Sequence, residues 1–476
     1  MNSLSQKAPV IFCISLCALC VLCGESSPAD WPTGRGNSQR TGCIDNQAGP
    51  ASPKVLWVYK SQDHFIASPV PGPAHLHVAG LGAFNVASVM ALPLEPKGAP
   101  AAIWTKSTPL VKNVVGAPAI GDGKIVFGDG MHQDAGGTLH CLRADGLPLW
   151  QLRMPGNLIH LEGSPTVVGG RVYMGAGSAG VLCVERDRVT LDGKERTAAE
   201  IQKLIDAKWK ELQAKYEVEK KKDPDFAAPP SEDQLPKPEP VKVWQQGAGK
   251  WHVDAPVAVA DNRVLVCSAF LEKEQLGDRA LICLDAKDGK TLWRQPVPMN
   301  PWGGASVDDK LVVVAGSTLN YDPKELKKAK GFIAAFDLGS GQAKWQKEIP
   351  GGVVGSVALA DGLAITCATD GKVRAFDLAS GERRWIYDTK SALFAPAAVS
   401  HGVAYVGDLK GTVHAITLVD GKGKWTLNLG TDPAVKAPGM VYGGPTLHGG
   451  KLYVATCNLE GPYARQPTIV VCIGSK

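Results

Sequence analysis

WQKEIPGGVVGSVALADGLAITCATDGKVRAFDLASGERRW, residues Trp345 to Trp385, predicts four antiparallel strands in succession. Three turn signals separate its apolar runs: Ala360-Asp361-Gly362, Thr369-Asp370-Gly371 and Ala379-Ser380-Gly381. Asp-Gly and Ser-Gly supply the positive φ values of tight hairpins, and the β-branched runs between them suit a half-buried pleated surface. A four-stranded sheet of this size cannot bury both of its faces alone. It must therefore pack against copies of itself.

Tryptophans equivalent to the one that ends this unit recur along the chain. They are Trp57, Trp104, Trp150, Trp244, Trp293, Trp345, Trp385 and Trp425. Successive members lie 40 to 52 residues apart, except for one interval of 94 residues. A chain of 476 residues would otherwise be divided into several domains. The recurring period indicates one repeat architecture instead.

The two ends of the repeat region complete each other. Val55–Tyr59 has the pattern of a last strand whose first three partners are missing, and the unit after Trp425 stops before its tryptophan strand. Joining them in one sheet leaves no open edge. We therefore predict an all-β fold over residues 55–476. It is an eight-bladed β-propeller of four-stranded antiparallel blades, closed by the N- and C-terminal strands.

Three segments carry a specific motif, with Asp, Gly and Trp at constant spacing. They are Leu284–Trp293, Phe336–Trp345 and Phe376–Trp385. The motif resembles the tryptophan-docking repeat of the pyrroloquinoline-quinone-like (PQQ-like) propellers, and the chain resembles exported members of the outer-membrane protein assembly factor B type. The resemblance implies that each tryptophan packs between blades against the motif glycine. It also implies that the aspartate accepts backbone N–H bonds in the turn.

The same resemblance carries two functional expectations. One is a non-catalytic module that binds or scaffolds proteins, with membrane-associated assembly machinery as partner. The alternative is a quinone-dependent alcohol or sugar dehydrogenase that holds PQQ and calcium. Those enzymes have adjacent cysteines that form a vicinal disulfide over the cofactor, and this chain has no Cys-Cys pair. We therefore expect no enzymatic activity and no cofactor. We also expect the protein to be a monomer.

Residues 1–29 have the pattern of a secretory signal peptide. Lys7 precedes the apolar run Ala8–Cys23, which is short for a membrane-spanning helix, and small residues lead up to Ala29. Cleavage after Ala29 would export the protein to the periplasm or cell envelope. A lipid anchor on Cys23 is the alternative.

Composition excludes several other classes of function. The net charge of +5 is modest and spread along the chain, which argues against nucleic acid as a partner. No CxxC pair follows the signal peptide, so neither structural zinc nor thioredoxin-like chemistry is expected, and no metal centre is predicted from ligand spacing. The leader, residues 30–54, is rich in Gly and Pro and is predicted to be an ordered loop.

The double interval contains an insertion in blade 3, residues 187–243. Thr197 to Glu200 forms a capping-box pattern, and a charged Pro-rich stretch ends the insertion. Apolar residues follow the capping box at helical spacing: Ile201, Ile205, Trp209, Leu212 and Tyr216. An isolated helix of this length is marginal in water, so the stripe must pack on the propeller or meet a partner. Partner docking is the functional hypothesis.

Topology predicts a second candidate site at one mouth of the central channel. Residues just before each first strand should line it: His64, Asn113, His160, Glu162, His252, Asp254 and Trp302. Converging polar groups can bind a small ligand or an ion, although a solvated rim is the alternative. Glu162 and Asp254 are the first place to look for calcium, which takes oxygen ligands.

Overall fold

A computed structural model describes residues 31–44, 46–82, 87–319 and 325–475. The predicted signal peptide, with Cys23 and Ala29, lies outside the described residues. No helix within these ranges is both long enough and apolar enough to cross a bilayer. The regular elements that lie wholly within these ranges are one long helix, two short 3-10 helices and antiparallel strands in eight sheets.

Strand β1 (Lys54–Ser61) precedes the first four blades. Blade 1 contains β2 (Val70–Pro71), β3 (His75–Leu81), β4 (Ala87–Pro93) and β5 (Trp104–Ser107). Blade 2 contains β6 (Ala119–Gly121), β7 (Lys124–Gly128), β8 (Ala135–Arg143) and β9 (Pro148–Asn157). Blade 3 contains β10 (Thr166–Val168), β11 (Arg171–Gly175), β12 (Val181–Leu191), β13 (Lys194–Thr197) and β14 (Glu239–Gln246). Blade 4 contains β15 (Ala258–Ala260), β16 (Arg263–Leu271), β17 (Leu276–Asp285) and β18 (Thr291–Pro296).

The remaining blades follow in chain order. Blade 5 contains β19 (Ala305–Asp308), β20 (Leu311–Ser317), β21 (Gly331–Asp337) and β22 (Ala343–Ile349). Blade 6 contains β23 (Ala358–Ala360), β24 (Leu363–Cys367), β25 (Lys372–Asp377) and β26 (Arg383–Asp388). Blade 7 contains β27 (Ala398–Ser400), β28 (Val403–Gly407), β29 (Thr412–Thr417) and β30 (Gly423–Asn428). Blade 8 contains β31 (Thr446–His448), β32 (Lys451–Ala455) and β33 (Thr468–Gly474), and it is completed by β1.

Blade 8 closes the ring as predicted. Strand β1 pairs antiparallel with β33, with Trp57 opposite Cys472. The innermost strand of each blade contacts the innermost strand of the next, and β31 of blade 8 contacts β2 of blade 1. Every blade therefore packs between two neighbouring blades, and the ring has no open end. The predicted eight-bladed fold with terminal-strand closure is confirmed.

All eight tryptophans make the same contact in the structure. Each donates its Nε1–H to a backbone carbonyl beyond its own sheet, at 2.6 to 3.1 Å. The acceptors, from Trp57 to Trp425 in order, are Leu94, Ala144, Arg186, Ala286, Leu338, Leu378, Leu418 and Pro50. Glycine is needed beneath the ring. A Cβ on Gly381, which has a φ of 70°, would lie 2.5 Å from the Trp345 ring.

The helix α1 (Ala198–Lys222) begins with the predicted capping box between Thr197 and Glu200. Ile201 and Ile205 are fully buried in the apolar cluster of blades 2 and 3. Trp209 and Leu212 pack against the same cluster, whereas Tyr216 is half-buried under the ammonium of Lys220. The apolar stripe is therefore not a free partner-docking surface, because its first turns belong to the propeller core.

The rest of the insertion is also tied to the propeller. Strand β12 continues past residue 187 to pair with β13, and β14 begins at Glu239, so both ends of the segment 187–243 belong to the blade-3 sheet. A 3-10 helix, Glu232–Gln234, follows α1, and the other one, Gly461–Tyr463, lies in blade 8. Leu235 is buried in the core, and Glu232 forms an ion pair with Lys106 of blade 1.

The leader runs through the central channel, a path that the sequence pattern does not predict. Five innermost strands donate a backbone N–H to it, at 2.7 to 2.8 Å. The pairs are Ile120 with Pro32, Val259 with Ser38, Val307 with Gln39, Leu359 with Thr41, and Val399 with Gly42. The leader thereby joins blades 2, 4, 5, 6 and 7 from the inside.

Arg40 is one of the most deeply buried residues of the leader, with 1% of its surface exposed. Its guanidinium donates to the carbonyl of Ser164 at 2.7 Å, the hydroxyl of Thr166 at 2.6 Å and the carbonyl of Val257 at 3.2 Å. Burial, with a smaller contribution from the charge of Arg35, lowers the pKa of Arg40 to about 9. The carbonyls of blades 3 and 4 compensate for the lost hydration of this buried cation.

Candidate metal centre

Three loops on one face of the propeller bring three imidazoles together. His132 lies between β7 and β8, His160 between β9 and β10, and His252 between β14 and β15. The ring centroids are 5.3 Å apart for His132 and His160, 5.8 Å for His132 and His252, and 5.2 Å for His160 and His252. One ring nitrogen of each lies within 4.8 Å of the others. We refer to these three residues as the histidine cluster.

Two carboxylates complete the site. Asp254 accepts hydrogen bonds from Nε2 of His160 and from Nε2 of His252, both at 2.8 Å. Oε1 of Glu162 lies 3.9 Å from Nε2 of His160 and accepts the backbone N–H of His132 at 2.8 Å. One nitrogen of His160 and one oxygen from each carboxylate also lie within 4.8 Å of one another. A single ion could therefore contact nitrogen and oxygen donors together.

A third carboxylate lies at the outer edge. Oε1 of Glu274, in the hairpin between β16 and β17, is 3.5 Å from Nε2 of His132. Blade 4 thus contributes to the site through this hairpin as well as through the connection that precedes β15.

Backbone hydrogen bonds hold the loops in place. Gly177 and Val253 exchange two bonds of 3.1 Å, which join the β11–β12 hairpin to the segment that carries His252. The carbonyl of His252 also accepts the N–H of Ala269 at 2.9 Å. Gly177 has a φ of 53°, and a Cβ there would lie 3.2 Å from the ring of His160. The site is therefore built on paired backbone rather than on free loops.

Burial separates the three histidines. The side chains of His160 and His252 are fully buried, and the Nδ1 atom of each has no hydrogen-bond partner among the described residues. The side chain of His132 is 44% exposed. Solvent therefore reaches the cluster from the side of His132, while the other two rings form its floor.

The carboxylates and His160 shift one another's pKa values. Burial works to lower the pKa of His160, but the hydrogen bond to Asp254 and the negative charges of Asp254 and Glu162 together leave the pKa raised. Burial works to raise the pKa of Asp254, but the hydrogen bonds from His160 and His252 hold it well below its usual range. Burial, followed by the charge of Asp254, raises the pKa of Glu162 to about 7. Negative charge is thus crowded beside the imidazoles.

The donor set favours a transition metal over calcium. Calcium takes six to eight oxygen ligands, whereas imidazole nitrogen suits zinc, copper, iron and nickel. Both oxygens of Asp254 face imidazole nitrogens. The pair that the sequence suggested for calcium, Glu162 and Asp254, therefore sits among nitrogen donors.

Three predicted mouth residues lie outside the cluster. His64 accepts the backbone N–H of Asn458 at its Nδ1, at 3.3 Å. The carbonyl of Asn113 accepts the N–H of Gly130 at 2.9 Å. Trp302 donates its indole N–H to the carbonyl of Leu319 at 3.0 Å. Asn113 thus contacts the hairpin that carries His132, whereas His64 and Trp302 have their contacts in blades 8 and 5.

Sequence reasoning missed His132 and Glu274. Both lie in hairpins between the second and third strands of a blade, whereas the prediction considered only the connections between blades. Blade 6 has only Ala368 to Gly371 between β24 and β25, but blade 2 has Asp129 to Asp134 between β7 and β8. The extra polar residues in a hairpin on the same face were the available signal.

The protein is a ring of blades, and a tryptophan in each blade donates a hydrogen bond to a carbonyl beyond its own sheet. These two features define the class of the protein. It is a PQQ-like repeat β-propeller. The model of a family described as outer membrane protein assembly factor BamB matches residues 241–387 and 301–468. The resemblance to PQQ-like repeats is thereby confirmed. No curated protein matches the chain in sequence.

Solved structures of two functional kinds share the fold. BamB from Moraxella catarrhalis is 16% identical, with a TM-score of 0.56 over 89% of this chain and 97% of that one. A europium-containing methanol dehydrogenase is 15% identical, with a TM-score of 0.59 over 94% and 98%. The quinohemoprotein alcohol dehydrogenase from Comamonas testosteroni is 16% identical, with a TM-score of 0.62 over 94% and 81%. Identities this low show the fold alone.

Proposed function

We propose that the protein is an exported, non-catalytic propeller that binds a protein partner of the cell envelope. The observation that carries this proposal is the course of the leader. Central channels of propellers are frequent ligand cavities, and here the protein's own leader lies in the channel. Trp31 and Arg40 are each 1% exposed. Because the leader occupies the central channel, we assign binding of the protein partner to the outer surface of the propeller.

The outer surface includes a largely exposed segment, which we call the arm, residues 213–230. It comprises the C-terminal part of α1 and the start of the Pro-rich return. Val218 is 54% exposed and Phe226 is 86% exposed. Among the described residues with exposed large apolar side chains, Phe226 is the only aromatic one. Exposed aromatic residues on an anchored element are favoured contacts in protein interfaces.

The anchoring of the helix supports a binding role for the arm. Ile201 and Ile205 fix the first turns in the core, so the arm leaves the propeller in a defined direction. A preorganised surface loses less conformational entropy on binding than a free peptide does. Residues 187–243 contain 12 Lys and Arg against 13 Asp and Glu. Near-neutral charge favours a protein contact over attraction to an anionic membrane.

The test compares exposed apolar side chains on and off the arm. The double variant Val218→Ser with Phe226→Ser should lose capture of the principal partner from envelope extracts. The control, Val419→Ser, removes a side chain that is 91% exposed in a turn of blade 7 and should capture as the wild type does. Both variants should melt cooperatively because none of the three replaced side chains is buried. Equal capture by the wild type and the double variant would contradict the proposal.

The comparison with alcohol dehydrogenases defines the competing activity. We expect purified protein, supplied with PQQ and calcium, to show no dye-linked oxidation of alcohols or sugars. Support for this expectation comes from the absence of adjacent cysteines in the sequence and from the leader in the channel. Sustained turnover that depends on PQQ would establish the dehydrogenase function instead.

A further inference from the structure

We propose that the histidine cluster binds one divalent transition-metal ion, with zinc as the representative species. The site lies on the face formed by the blade connections, apart from the arm. The proposal therefore goes beyond the partner-binding role and does not depend on it.

The spacing of the three imidazole rings matches the spacing around one shared ion. Three imidazoles bound to one tetrahedral zinc, with Zn–N bonds of about 2.0–2.1 Å, place their centroids roughly 5 Å apart. The three observed separations are 5.2, 5.3 and 5.8 Å. The rings are thus already grouped at the distance that a shared ion requires, with small adjustments left to the exposed ring of His132.

The carboxylates also favour a bound cation. The carboxylate of Asp254 lies 2.8 Å from Nε2 of each buried histidine, so an oxygen is available beside both nitrogens. Glu162 adds a second negative charge within 4.8 Å. Two carboxylates neutralise a divalent ion bound by neutral imidazoles. Buried clusters of this composition are costly to maintain without a bound cation.

The positions of the donors also suit a shared ion. The donors come from loops of blades 2, 3 and 4, and His160 and His252 are fixed from below by paired backbone. His132 closes the site from the solvent side. A bound ion would therefore join three blades and still be reached by water at one position. That arrangement suits both a structural clamp and an open coordination site.

The test uses untagged protein that has been treated with a chelator and dialysed. Titration calorimetry with Zn²⁺ should show one ion per chain, and Ca²⁺ should give no comparable heat. His132→Ala should weaken the affinity for Zn²⁺ by about tenfold or more, because it removes a ligand while sparing the buried floor. The matched control is His401→Ala, an exposed histidine of blade 7, which should bind as the wild type does.

Two further readouts separate a built site from surface binding. Co²⁺ should give visible absorption bands of a tetrahedral nitrogen and oxygen environment, and Asp254→Asn should change them. Zn²⁺ should raise the melting temperature of His132→Ala by less than it raises that of the wild type and of His401→Ala. The proposal is overturned if the wild type binds no Zn²⁺, if Ca²⁺ binds equally well, or if His132→Ala retains wild-type affinity.

Discussion

Two groups of blades differ in how closely they keep the repeat. Blades 6 and 7 are regular copies, whereas the first four blades are extended. Blades 6 and 7 each have strands of three, five, six and six residues in the same order. The first four blades have strands of up to eleven residues, one added helix and longer hairpins. Both groups nevertheless keep the same tryptophan bond to the next segment. The docking frame is thus shared, and the differences lie at the ends of the strands.

Both candidate functional features lie in the extended blades. The histidine cluster joins loops of blades 2 to 4, and the arm belongs to blade 3. Strand ends and blade connections can grow without disturbing the buried faces, because their extra residues face solvent or pack on an outer edge. The candidate functional features of this propeller therefore lie where its repeat is least regular.

The largest expected effect tests whether the docking frame is truly shared. Trp244→Ala in blade 3 and Trp385→Ala in blade 6 should each lower the free energy of unfolding by about 3–5 kcal/mol. The two indoles are each 7% exposed and donate at 3.1 and 2.6 Å, so the costs should be similar. Urea unfolding measures both. A loss confined to the regular blade would show that blade 3 is held by other contacts.

The next effect tests whether the added helix has become part of the core. Ile205→Ala should lower the free energy of unfolding by about 2–4 kcal/mol, because its side chain is fully buried against blades 2 and 3. Its neighbour Leu204, which is 39% exposed, provides the matched control. Leu204→Ala should change stability by about 0.5 kcal/mol or less. Equal changes would mean that α1 does not pack as described.

The smallest effect concerns a buried histidine that replaces an aliphatic residue of the regular blades. His77 lies opposite Ala91, as Ile365 lies opposite Ala375 in blade 6. Burial lowers the pKa of His77 to about 4, from an ordinary value of 6.5. The folded state therefore resists protonation, and stability should fall as the pH drops from 6.5 towards 4.

The variant His77→Ile removes this titration. Between pH 7 and pH 5, the free energy of unfolding of the wild type should fall by on the order of 1–2 kcal/mol more than that of the variant. Chemical unfolding at the two pH values gives the difference, and any packing cost of the substitution cancels between them. Identical pH dependence in variant and wild type would contradict the pKa shift.

The frame of the fold was predictable because its signals are local and repeated. Asp-Gly turns, period-two apolar runs and the tryptophan spacing gave the eight blades, and the incomplete units at Trp57 and Cys472 gave their closure. The path of the leader was not predictable. Its five bonds to the innermost strands use backbone carbonyls from Pro32 to Gly42, which accept whatever the side chain. The guanidinium of Arg40 also bonds to backbone carbonyls of the blades, and no sequence pattern marks such acceptors.

The candidate site was predictable only in part. His160, Glu162, His252 and Asp254 precede first strands, so topology alone placed them on one face. His132 lies in a hairpin, and its distance from the other residues depends on the conformation of that hairpin, which the sequence does not specify. The packing of helix α1 was likewise not predictable. Apolar spacing shows that a helix has an apolar stripe, but it does not show what the stripe packs against.

The central claim is that the extended blades, not the regular ones, carry the binding function. The most direct measurement introduces a photo-crosslinking residue in living cells at Val218 on the arm or, in a second strain, at Val419 on blade 7. These two side chains are 54% and 91% exposed, so both can report a neighbour. We predict a discrete protein adduct from position 218 and none from position 419. An adduct from position 419 alone would contradict the account.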